Sequence, residues 1–525
     1  MAAVPELQFP ESRVLIIITG GTICMKRSPD GLVPARGFLK SGLAPRPSFN
    51  DGSYPEPLEI VTDDAGSRKA IQSLRTPVST YDRRVRYAVY EFETLLDSSS
   101  IDAEGWDYIA QCVYWNYKLY DGFVILHGTD SLAYTCSALS FMLQNLGKPV
   151  ILTGSQAPML ELQNDATDNL LSSLIIAGHF MIPEVCLFFN FKLFRGNRAT
   201  KVAADDFNAF ASPNMPPLAT VSATKTHVLW DAVYRPTEMQ EFNIQTRLDT
   251  AHVACIRIFP GIRPNMIDAV LRQEGLRGLV LETYGAGNTP GGPDSDMTKV
   301  LADAVKRGIV IVNVTQCLSG SVSPLYAPAT VLGRAGVVFG QDMTTEAALT
   351  KLSYLLALPD TTPQEIAKRM SVSLRGELTE ASRTHFQHPN SGTLTPEISS
   401  LIALGYKVQE GDLQGVLDVM RWEKRWLLND ADYSGNTPLH LAARCPNVEI
   451  LREFLSQGAS VHLRNREGRT PLFLAAQAGL ANHVELLREA GAHPYSEETR
   501  AARLEAKEGR GYAALWRAAG YPVDD

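Results

Sequence analysis

The sequence predicts an α/β protein with open, mostly parallel sheets, followed by an all-α repeat region. Short apolar runs that do not alternate with polar residues recur from Val14 to Phe339, and such runs are typical of strands covered on both faces. The segments between them leave room for helices, and β–α–β alternation favours parallel sheets. Near the end of the chain this pattern stops, and an internal repeat takes its place.

The strand candidates are the apolar runs Val14–Ile18, Phe123–Leu126, Val150–Leu152, Val185–Phe189, Gly278–Leu281, Ile309–Val312 and Val337–Phe339. The segment after the second run shows a clear helical pattern. Its apolar residues return at alternating spacings of four and three, which places them on one face of a helix. They are Leu132, Cys136, Leu139, Leu143 and Leu146. We therefore expect a helix over this stretch.

Small residues and hydroxyl groups follow several of these strands. The segments concerned are TGGT (Thr19–Thr22), HGTD (His127–Asp130), TGSQ (Thr153–Gln156) and YGAGN (Tyr284–Asn288). In open α/β sheets the ligand crevice lies outside the carboxyl ends of the strands. Glycine at such ends lets backbone amides approach a substrate closely. We therefore expect the functional site at this edge of the sheet.

A repeat with a period of 33 residues occupies the end of the chain. GNTPLHLAA (Gly435–Ala443) aligns with GRTPLFLAA (Gly468–Ala476), and the Gly-Ala pair that follows each copy keeps the same offset. The period and the TPLH pattern resemble the ankyrin repeat. Two good copies are too few to bury a continuous core. We therefore expect residues 401–432 to form a degenerate first copy and residues 499–525 a helical cap.

Composition and charge exclude several classes of protein. The 525 residues are 45% hydrophobic and 20% charged, which is the balance of a globular protein. The net charge of −8 provides no basic field for nucleic acid or an anionic membrane, and a solvated helix face explains the local run Arg83, Arg84 and Arg86. No apolar run reaches the ~18 residues of a spanning helix, and the N-terminus lacks a secretory pattern. We expect a cytoplasmic protein without nucleic-acid or membrane partners.

Residue spacings also argue against cofactors. The cysteines are scattered without CxxC spacing, so neither a disulfide framework nor a structural zinc site is expected. Histidines are not paired at the spacing of metal ligands. The turn Gly20-Gly21-Thr22 lacks the third glycine of a dinucleotide motif. Neither a Walker loop nor the serine elbow of lipases and esterases is present. We expect no metal and no organic cofactor.

The remaining candidates for chemistry are threonines at strand ends. Thr129-Asp130, with a lysine brought in from elsewhere, would form a proton relay, because a neutral lysine can act as a base and a carboxylate can hold it. Thr22, on the glycine-rich turn, would be the attacking group, with backbone N–H groups as an oxyanion hole. A threonine at a strand end is more often a cap or turn residue, so these residues alone leave the function open.

Five motifs in chain order carry a resemblance to a known family. They are TGGTI (Thr19–Ile23), DGFVILHGTDSLAYT (Asp121–Thr135), KPVILTGSQ (Lys148–Gln156), LFRGNRATK (Leu193–Lys201) and LRGELT (Leu374–Thr379). Together they resemble the L-asparaginases, in particular the cytoplasmic, bacterial type I-like enzymes and their animal relatives with C-terminal ankyrin repeats. The likeness spans about residues 12–380.

The resemblance implies an organisation in four parts. Residues 10–225 would form the N-terminal, catalytic asparaginase domain, and residues 245–378 the C-terminal asparaginase subdomain. The polar stretch 379–400 would be a linker. Residues 401–525 would hold the ankyrin repeats and their terminal cap.

The resemblance also implies roles for particular residues. Thr22 would be the first catalytic threonine, which forms a β-aspartyl ester and releases ammonia. Thr129, Asp130 and Lys201 would form the Thr-Asp-Lys triad of the family.

A neighbouring segment corresponds to the family's substrate-holding serines. The residues that would hold the α-carboxylate and α-amino groups are Asp97, Ser98, Ser99, Thr129 and Asp130. A structural reading also applies here, since Ser99-x-x-Asp102 is typical of a helix start. His127 is expected to be a packed residue at a strand end, because the family does not use it in catalysis.

Two departures from the family pattern concern activation and regulation. Many members carry a tyrosine on the loop after TGGT, but residues 28–34 contain none; Tyr326 is the candidate substitute. Type I bacterial enzymes bind a second asparagine through a Thr, an Arg and a Cys. Thr200 and Cys317 match, but Glu282 stands where the arginine would be. A carboxylate there would repel the effector's own carboxylate, so we expect the allosteric site to be weakened or altered.

The implied activity is the hydrolysis of L-asparagine to L-aspartate and ammonia. The resemblance further implies a homodimer or homotetramer with sites completed across the dimer interface. The ankyrin region would bind a protein partner that the sequence does not identify. Two alternatives remain open: an ankyrin-based interaction protein with a vestigial hydrolase domain, and a lysophospholipase-type side activity. An amidotransferase acting on transfer RNA is disfavoured because the acidic chain offers no nucleic-acid surface.

Overall fold

The computed structural model describes residues 9–29, 31–235, 240–292, 295–322, 327–379, 396–422, 425–432, 434–507 and 513–523. The chain divides into two compact units. The first unit consists of Met1–Tyr234 and Phe242–Ala381, and the second of Arg235–Glu241 and Ser382–Asp525. Each unit has its own hydrophobic core.

The strands are β1 (Glu11–Gly20), β2 (Met25–Ser28), β3 (Gly31–Pro34), β4 (Leu58–Val61), β5 (Arg68–Ile71), β6 (Ser73–Arg75), β7 (Arg84–Leu96), β8 (Gly122–Leu126), β9 (Leu143–Gln144), β10 (Val150–Thr153), β11 (Val185–Phe189), β12 (Lys192–Arg195), β13 (Thr200–Lys201), β14 (Phe210–Ala211), β15 (Ala219–Val221), β16 (Thr226–Val228), β17 (Asn243–Ile244), β18 (Val253–Arg257), β19 (Gly278–Thr283), β20 (Val310–Thr315) and β21 (Val338–Phe339).

The helices are α1 (Ala103–Asn116), α2 (Leu132–Met142), α3 (Ala166–His179), α4 (Pro264–Leu271), α5 (Asp296–Lys306), α6 (Ala327–Arg334), α7 (Thr345–Leu356), α8 (Pro363–Met370), α9 (Pro396–Glu410), α10 (Leu413–Trp422), α11 (Pro438–Ala442), α12 (Val448–Ser456), α13 (Pro471–Gln477), α14 (Ala481–Glu489), α15 (Ser496–Lys507) and α16 (Ala513–Ala518).

The large sheet of the first unit runs in the order β16-β15-β12-β11-β10-β8-β1-β7-β6. Its centre, from β7 to β11, is parallel, as the unbroken apolar runs predict, whereas both edges are antiparallel. Alternate residues of β1 enter different cores. Leu15 and Ile17 join the cluster that includes α1 and α2, and Val14, Ile16 and Ile18 join the one that includes α3. Both faces are therefore covered.

A second, fully parallel sheet in the order β18-β19-β20-β21 belongs to the same unit. Helix α7 packs against β19 and also against α2 beside the large sheet. At that contact the hydroxyl groups of Ser137 and Thr350 lie 2.6 Å apart, both buried. The two sheets are thus connected through a pair of packed helices.

Two local expectations differ from the structure, and a third falls mostly outside the described residues. The predicted helix ends at Met142, because Leu143 leaves it to pair with β17. The basic run is not on a helix, since Arg84 and Arg86 lie on β7, where they face Asp51 and Glu11. Of the predicted linker, residues 380–395 lie outside the described part, and residues 396–400 already belong to α9.

In the second unit, the TPLH pattern begins helices. Thr437 and Thr470 occupy the position before α11 and α13, and a proline stands at the start of each helix, where its missing N–H is no loss. His440 is buried and accepts the Thr437 N–H at 3.1 Å on one ring nitrogen. Its other nitrogen lies 3.1 Å from the carbonyl of Arg469 in the next repeat. The motif therefore both caps a helix and connects successive repeats.

Candidate active site

Three loops meet through small residues at the carboxyl ends of β1, β7 and β8. Gly21 has φ 90° and ψ 169°, and a Cβ atom placed on it would lie 2.4 Å from the backbone nitrogen of Gly128. A Cβ atom on Gly128 would lie 2.5 Å from the Ser98 hydroxyl oxygen. Side chains are thus excluded where the loops touch. The loop that carries Thr22 lies directly against the loop that carries Thr129.

Thr22 begins a short 3-10 turn that ends at Cys24. The Thr22 side chain is half-buried, whereas the next two residues are buried beneath it. Burial raises the pKa of the Cys24 thiol to about 12, so this thiol stays protonated and does not compete as a nucleophile. The chain then forms the β2–β3 hairpin, in which Arg27 pairs with Glu161 at 2.5 Å.

Lys201 connects Thr129 and Asp130. Its ammonium nitrogen lies 2.9 Å from the Thr129 hydroxyl oxygen and 2.7 Å from a carboxylate oxygen of Asp130. The Lys201 side chain is 21% exposed and that of Asp130 is 68% exposed. The structure thus brings a lysine from β13 to two residues that follow β8, far away in the sequence. The exposed carboxylate leaves one side of the site open to a small molecule.

The segment before Lys201 is held by buried ion pairs. Arg198 pairs with Asp342 at 2.9 Å and donates to the Thr379 hydroxyl at 2.7 Å. Asp342 also accepts the Thr379 hydroxyl at 2.5 Å and its backbone N–H at 2.8 Å. The RGNRATK and LRGELT motifs therefore meet around the carboxylate of Asp342.

Gln156, at the end of β10, also contacts the site. The Thr129 hydroxyl donates to its side-chain oxygen at 3.3 Å. Its side-chain nitrogen donates to the carbonyls of Ala204 at 2.9 Å and Asp206 at 3.3 Å. The Thr129 hydroxyl therefore has two side-chain partners, Lys201 and Gln156.

The predicted substrate-holding segment forms a 3-10 turn over Ser98–Ser100, capped by Asp97. Ser98 is buried, and its hydroxyl accepts the backbone N–H of Asp130 at 3.3 Å. Asp97 and Ser99 are exposed beside it. Helix α1 begins after this turn, and Asp102 rather than Ser99 caps it by accepting two backbone N–H groups. The capping pattern therefore has a different register from the expected one, and Ser99 has no capping role in α1.

His127 is fully buried. Its two ring nitrogens lie 2.7 Å from the carbonyl of Gly128 and 3.1 Å from the Thr135 hydroxyl, which also accepts the indole N–H of Trp106. Burial lowers the pKa of His127 to about 4, so the ring is neutral near pH 7. The residue packs and orients the strand end, as expected from the sequence.

Two of the residues considered for allostery, Thr200 and Glu282, lie in separate hydrogen-bonded pairs that each include a carboxyl group. The Thr200 hydroxyl donates to Glu346 at 2.7 Å, and burial raises the pKa of that carboxyl. Glu282 pairs with Arg257 at 2.8 Å and accepts the Thr345 hydroxyl at 2.6 Å. Burial alone would raise the pKa of Glu282, but these two hydrogen bonds outweigh it and hold the pKa below its usual value. Glu282 is therefore a carboxylate near neutral pH.

The two remaining predicted residues, Cys317 and Tyr326, add no contact to the site in the described part of the chain. Cys317 is exposed, and its backbone N–H donates to the Thr315 hydroxyl at 3.0 Å. Tyr326 lies outside the described residues. Among the residues that are described, no group of three or more His, Cys, Asp or Glu side chains could hold a metal ion. No helix in the same part of the chain combines the length and apolar character needed to cross a bilayer.

Comparison with known proteins assigns the family. The model of the asparaginase N-terminal domain matches residues 13–234, that of the glutaminase/asparaginase C-terminal domain matches residues 252–370, and that of ankyrin repeats (3 copies) matches residues 406–498. L-asparaginase 1 of Escherichia coli K12 is 41% identical over 375 residues, which cover 70% of this chain and 98% of the relative. The chain belongs to the asparaginase family. The resemblance inferred from the five motifs is thereby confirmed.

Two other relatives cover more of this asparaginase-family chain. The L-asparaginase of Dirofilaria immitis is 37% identical over 501 residues, which cover 93% of this chain and 83% of the relative. The 60 kDa lysophospholipase of mouse is 40% identical over 467 residues, covering 86% and 79%. The crystal structure of L-asparaginase I from Vibrio cholerae matches with a TM-score of 0.59 at 38% identity, over 70% of this chain and all of that one. The expected fold and the ankyrin region are confirmed.

Sequence reasoning missed the contact of Gln156 with Thr129. Gln156 lies in the quoted TGSQ motif, at the end of a strand adjacent to β8, so its position was a usable signal. The direction of its side-chain amide could not be predicted, because the partners of the amide nitrogen, Ala204 and Asp206, lie on a loop without a distinctive motif.

Proposed function

We propose that this protein hydrolyses L-asparagine to L-aspartate and ammonia. The observation that carries the proposal is the contact of Lys201 with both Thr129 and Asp130, on the loop against which the Thr22 turn packs. Two threonines and a lysine–carboxylate pair at the edge of a parallel sheet can support acyl transfer without a metal.

The reaction proceeds in two acyl transfers. The Thr22 hydroxyl attacks the side-chain amide carbon of asparagine and loses its proton, and the departing nitrogen takes up a proton and leaves as ammonia. Water then attacks the β-aspartyl ester, which releases aspartate and restores the Thr22 hydroxyl. Thr129 and Lys201 serve as the proton relay, because the ammonium lies within hydrogen-bond distance of the hydroxyl. Backbone N–H groups of the glycine-rich turn stabilise the oxyanion.

The substrate's charged end is recognised by exposed groups beside the relay. Asp130 presents a largely exposed carboxylate to the α-amino group. The Asp97–Ser99 turn contributes to holding the α-carboxylate and α-amino groups, with Ser99 exposed and Ser98 fixing the turn against Asp130. Ser98 acts mainly through backbone positioning, because it is buried.

The setting of the reaction belongs to the same proposal. The enzyme works in the cytoplasm as a homodimer or homotetramer whose sites are completed across a dimer interface. Its ankyrin repeats bind a protein partner, since stacked repeats present extended surfaces of this kind. Tyr326 takes part in activating Thr22 in place of a loop tyrosine.

The deciding experiment measures ammonia and aspartate released from L-asparagine by the purified full chain. We expect Thr22→Val, Thr129→Val and Lys201→Met each to lower turnover by about 100-fold or more, because each removes a nucleophile or a proton relay. Val replaces Thr with nearly the same shape, so the thermal unfolding midpoint of the threonine variants is expected to stay close to that of the parent chain. A Thr22→Val enzyme with near-normal turnover contradicts the assignment.

A second candidate activity follows from the mouse relative's name, 60 kDa lysophospholipase. If the same nucleophile cleaves a lysophospholipid ester, purified protein will release fatty acid from lysophosphatidylcholine, and Thr22→Val will abolish this release. Fatty-acid release that persists in Thr22→Val would come from another site or from a contaminant. No release at all would leave asparagine hydrolysis as the proposed activity.

A further inference from the structure

We propose that Gln156 is a positioning residue that directs the Thr129 proton away from Lys201 and thereby sets the pH range in which the enzyme is active. The inference rests on the proposed function, in which Thr129 and Lys201 transfer the proton. It adds a third side chain to that relay. The side-chain oxygen of Gln156 lies 3.3 Å from the Thr129 hydroxyl oxygen and accepts its hydrogen bond.

The direction of the Gln156 amide follows from its other partners. Its nitrogen faces the carbonyls of Ala204 at 2.9 Å and Asp206 at 3.3 Å. A carbonyl only accepts hydrogen bonds, so the NH2 end must point toward this loop. The oxygen end is left for Thr129. The Gln156 oxygen can therefore accept a hydrogen bond from the Thr129 hydroxyl but cannot donate one to it.

The backbone of Gln156 is fixed as well. Its N–H lies 3.1 Å from each carboxylate oxygen of Asp165. Asn169, which is buried, donates to the same carboxylate at 3.2 Å and to the carbonyl of Gly154 at 3.0 Å. Burial raises the pKa of Asp165, and the hydrogen bonds that it accepts oppose this effect. The backbone of the turn is therefore held from both sides, while two carbonyls hold the side-chain nitrogen.

The consequence for the relay comes from counting protons. A threonine hydroxyl has one proton to donate and two lone pairs. When Thr129 donates to Gln156, its lone pairs face Lys201, whose nitrogen must then be the donor at 2.9 Å. In this arrangement Lys201 donates both to the Thr129 hydroxyl and, at 2.7 Å, to the Asp130 carboxylate. Accepting a proton from Thr129 requires Lys201 to be neutral and the hydroxyl to turn away from Gln156.

Two substitutions at position 156 should act in opposite directions. Gln156→Met keeps the size but removes the acceptor, so the protonated form of Lys201 loses support and the acidic limb of the kcat profile should move to lower pH. Gln156→Glu keeps an acceptor and adds a negative charge, so the limb should move to higher pH. Each shift is expected to be roughly half a unit to one unit, the size of one hydrogen bond.

The test is a kcat–pH profile with L-asparagine for the full chain and these variants. The matched control is Gln316→Met, since Gln316 likewise donates from its side-chain nitrogen to two carbonyls, those of Ile258 at 2.5 Å and Glu282 at 2.9 Å. We expect its acidic limb to coincide with that of the parent chain.

The outcomes separate the two levels of the proposal. Opposite shifts in Gln156→Met and Gln156→Glu support the positioning role. A parent chain that releases no ammonia overturns the proposed function itself. An active parent chain, with lower turnover in both variants but an unmoved acidic limb, shows that Gln156 only supports the Ala204–Asp206 loop, and the inference is then wrong. Thermal unfolding of each variant identifies any that fail to fold. If Gln156→Met fails to fold, the nearly isosteric Gln156→Glu still tests the proposal.

Discussion

Two glycines, Gly21 and Gly128, pack closely against each other in the candidate site. Gly21 has φ 90° and ψ 169°, a conformation that is essentially reserved for glycine. Its Cα faces the backbone of Gly128 so closely that a Cβ atom would lie 2.4 Å from a nitrogen that cannot move aside easily. Both conformation and space therefore require glycine at this position, and the placement of Thr22 depends on it.

We expect Gly21→Ala to destabilise the first unit and to lower ammonia release by at least ~10-fold, because the added methyl group pushes the Thr22 turn away from Gly128. Gly66→Ala is the matched control: Gly66 also has a positive φ, 77°, but a Cβ atom there meets nothing within 4 Å. The control should lose only about 1–2 kcal/mol of unfolding free energy and keep its turnover. Urea unfolding and ammonia release measure both variants. Equal effects would show that backbone strain, and not close packing, governs position 21.

Strand β13 has two residues, and side-chain contacts of the segment before it also hold it in place. Lys201 pairs with Phe210 on β14, while the preceding turn is anchored by the ion pair of Arg198 and Asp342, whose side chains are 4% and 10% exposed. The Thr379 hydroxyl and backbone N–H complete the partners of that carboxylate. The position of Lys201 thus depends on residues of the C-terminal part of the unit.

Removing one member of this buried pair should be costly. We expect Asp342→Ala to lower the unfolding free energy by about 3 kcal/mol, because it leaves a buried guanidinium without its charge partner. Turnover should fall with it, since the Lys201 segment loses its anchor. Asp303→Ala, which breaks an exposed pair with Lys306 (61% and 77% exposed), should change stability by less than about 1 kcal/mol. Similar losses in both variants would contradict the anchoring role of Asp342.

The end of β19 carries a prediction about regulation. Glu282 is ionised and held by Arg257 and Thr345, so it would repel the carboxylate of a second asparagine molecule. We therefore expect initial rates to depend hyperbolically on asparagine concentration, both in the parent chain and in Cys317→Ala. Sigmoidal kinetics that become hyperbolic in Cys317→Ala would contradict this prediction.

The ankyrin unit contains buried and half-buried histidines that remain neutral near pH 7. Burial lowers the pKa of His440 and His493 to about 4 and that of His462 to about 2, against an ordinary value near 6.5. As the pH falls below 6.5, these histidines therefore bind protons in the unfolded chain but stay unprotonated in the folded unit. Glu498 acts in the opposite direction, because burial raises the pKa of its carboxyl. The balance favours loss of stability in acid.

We expect the second unit of the full chain to lose stability between pH 6.5 and pH 4, with His440 contributing on the order of 3 kcal/mol. His440→Gln should flatten this dependence, because glutamine can still accept from Thr437 and donate to Arg469 but does not titrate. Segment-resolved hydrogen exchange at several pH values measures the stability of the second unit in the parent chain and in the variant. His252→Gln is the control, since His252 has an exposed side chain. An unchanged slope in His440→Gln would refute the role assigned to its burial.

Local patterns in the chain were sufficient to predict the architecture. Unbroken apolar runs predicted the parallel centre of the sheet, because alternate residues of a strand such as β1 pack into cores on opposite faces. The 33-residue period predicted the repeats because TPLH encodes a cap, a helix start and a link to the next repeat. The turn residues Gly20-Gly21 and the Thr129-Asp130 pair pointed to the edge of the sheet where their two loops touch, because small residues and hydroxyl groups after strands are a local pattern.

Tertiary structure was needed wherever partners come from distant parts of the chain. No spacing rule brings Lys201 to Thr129, Asp342 to Arg198, or the carbonyls of Ala204 and Asp206 to Gln156. The end of α2 at Met142 was missed because pairing with β17 outweighed the helical periodicity. Such contacts depend on the path of the whole backbone, and a hydrogen bond is made or lost within a few tenths of an ångström.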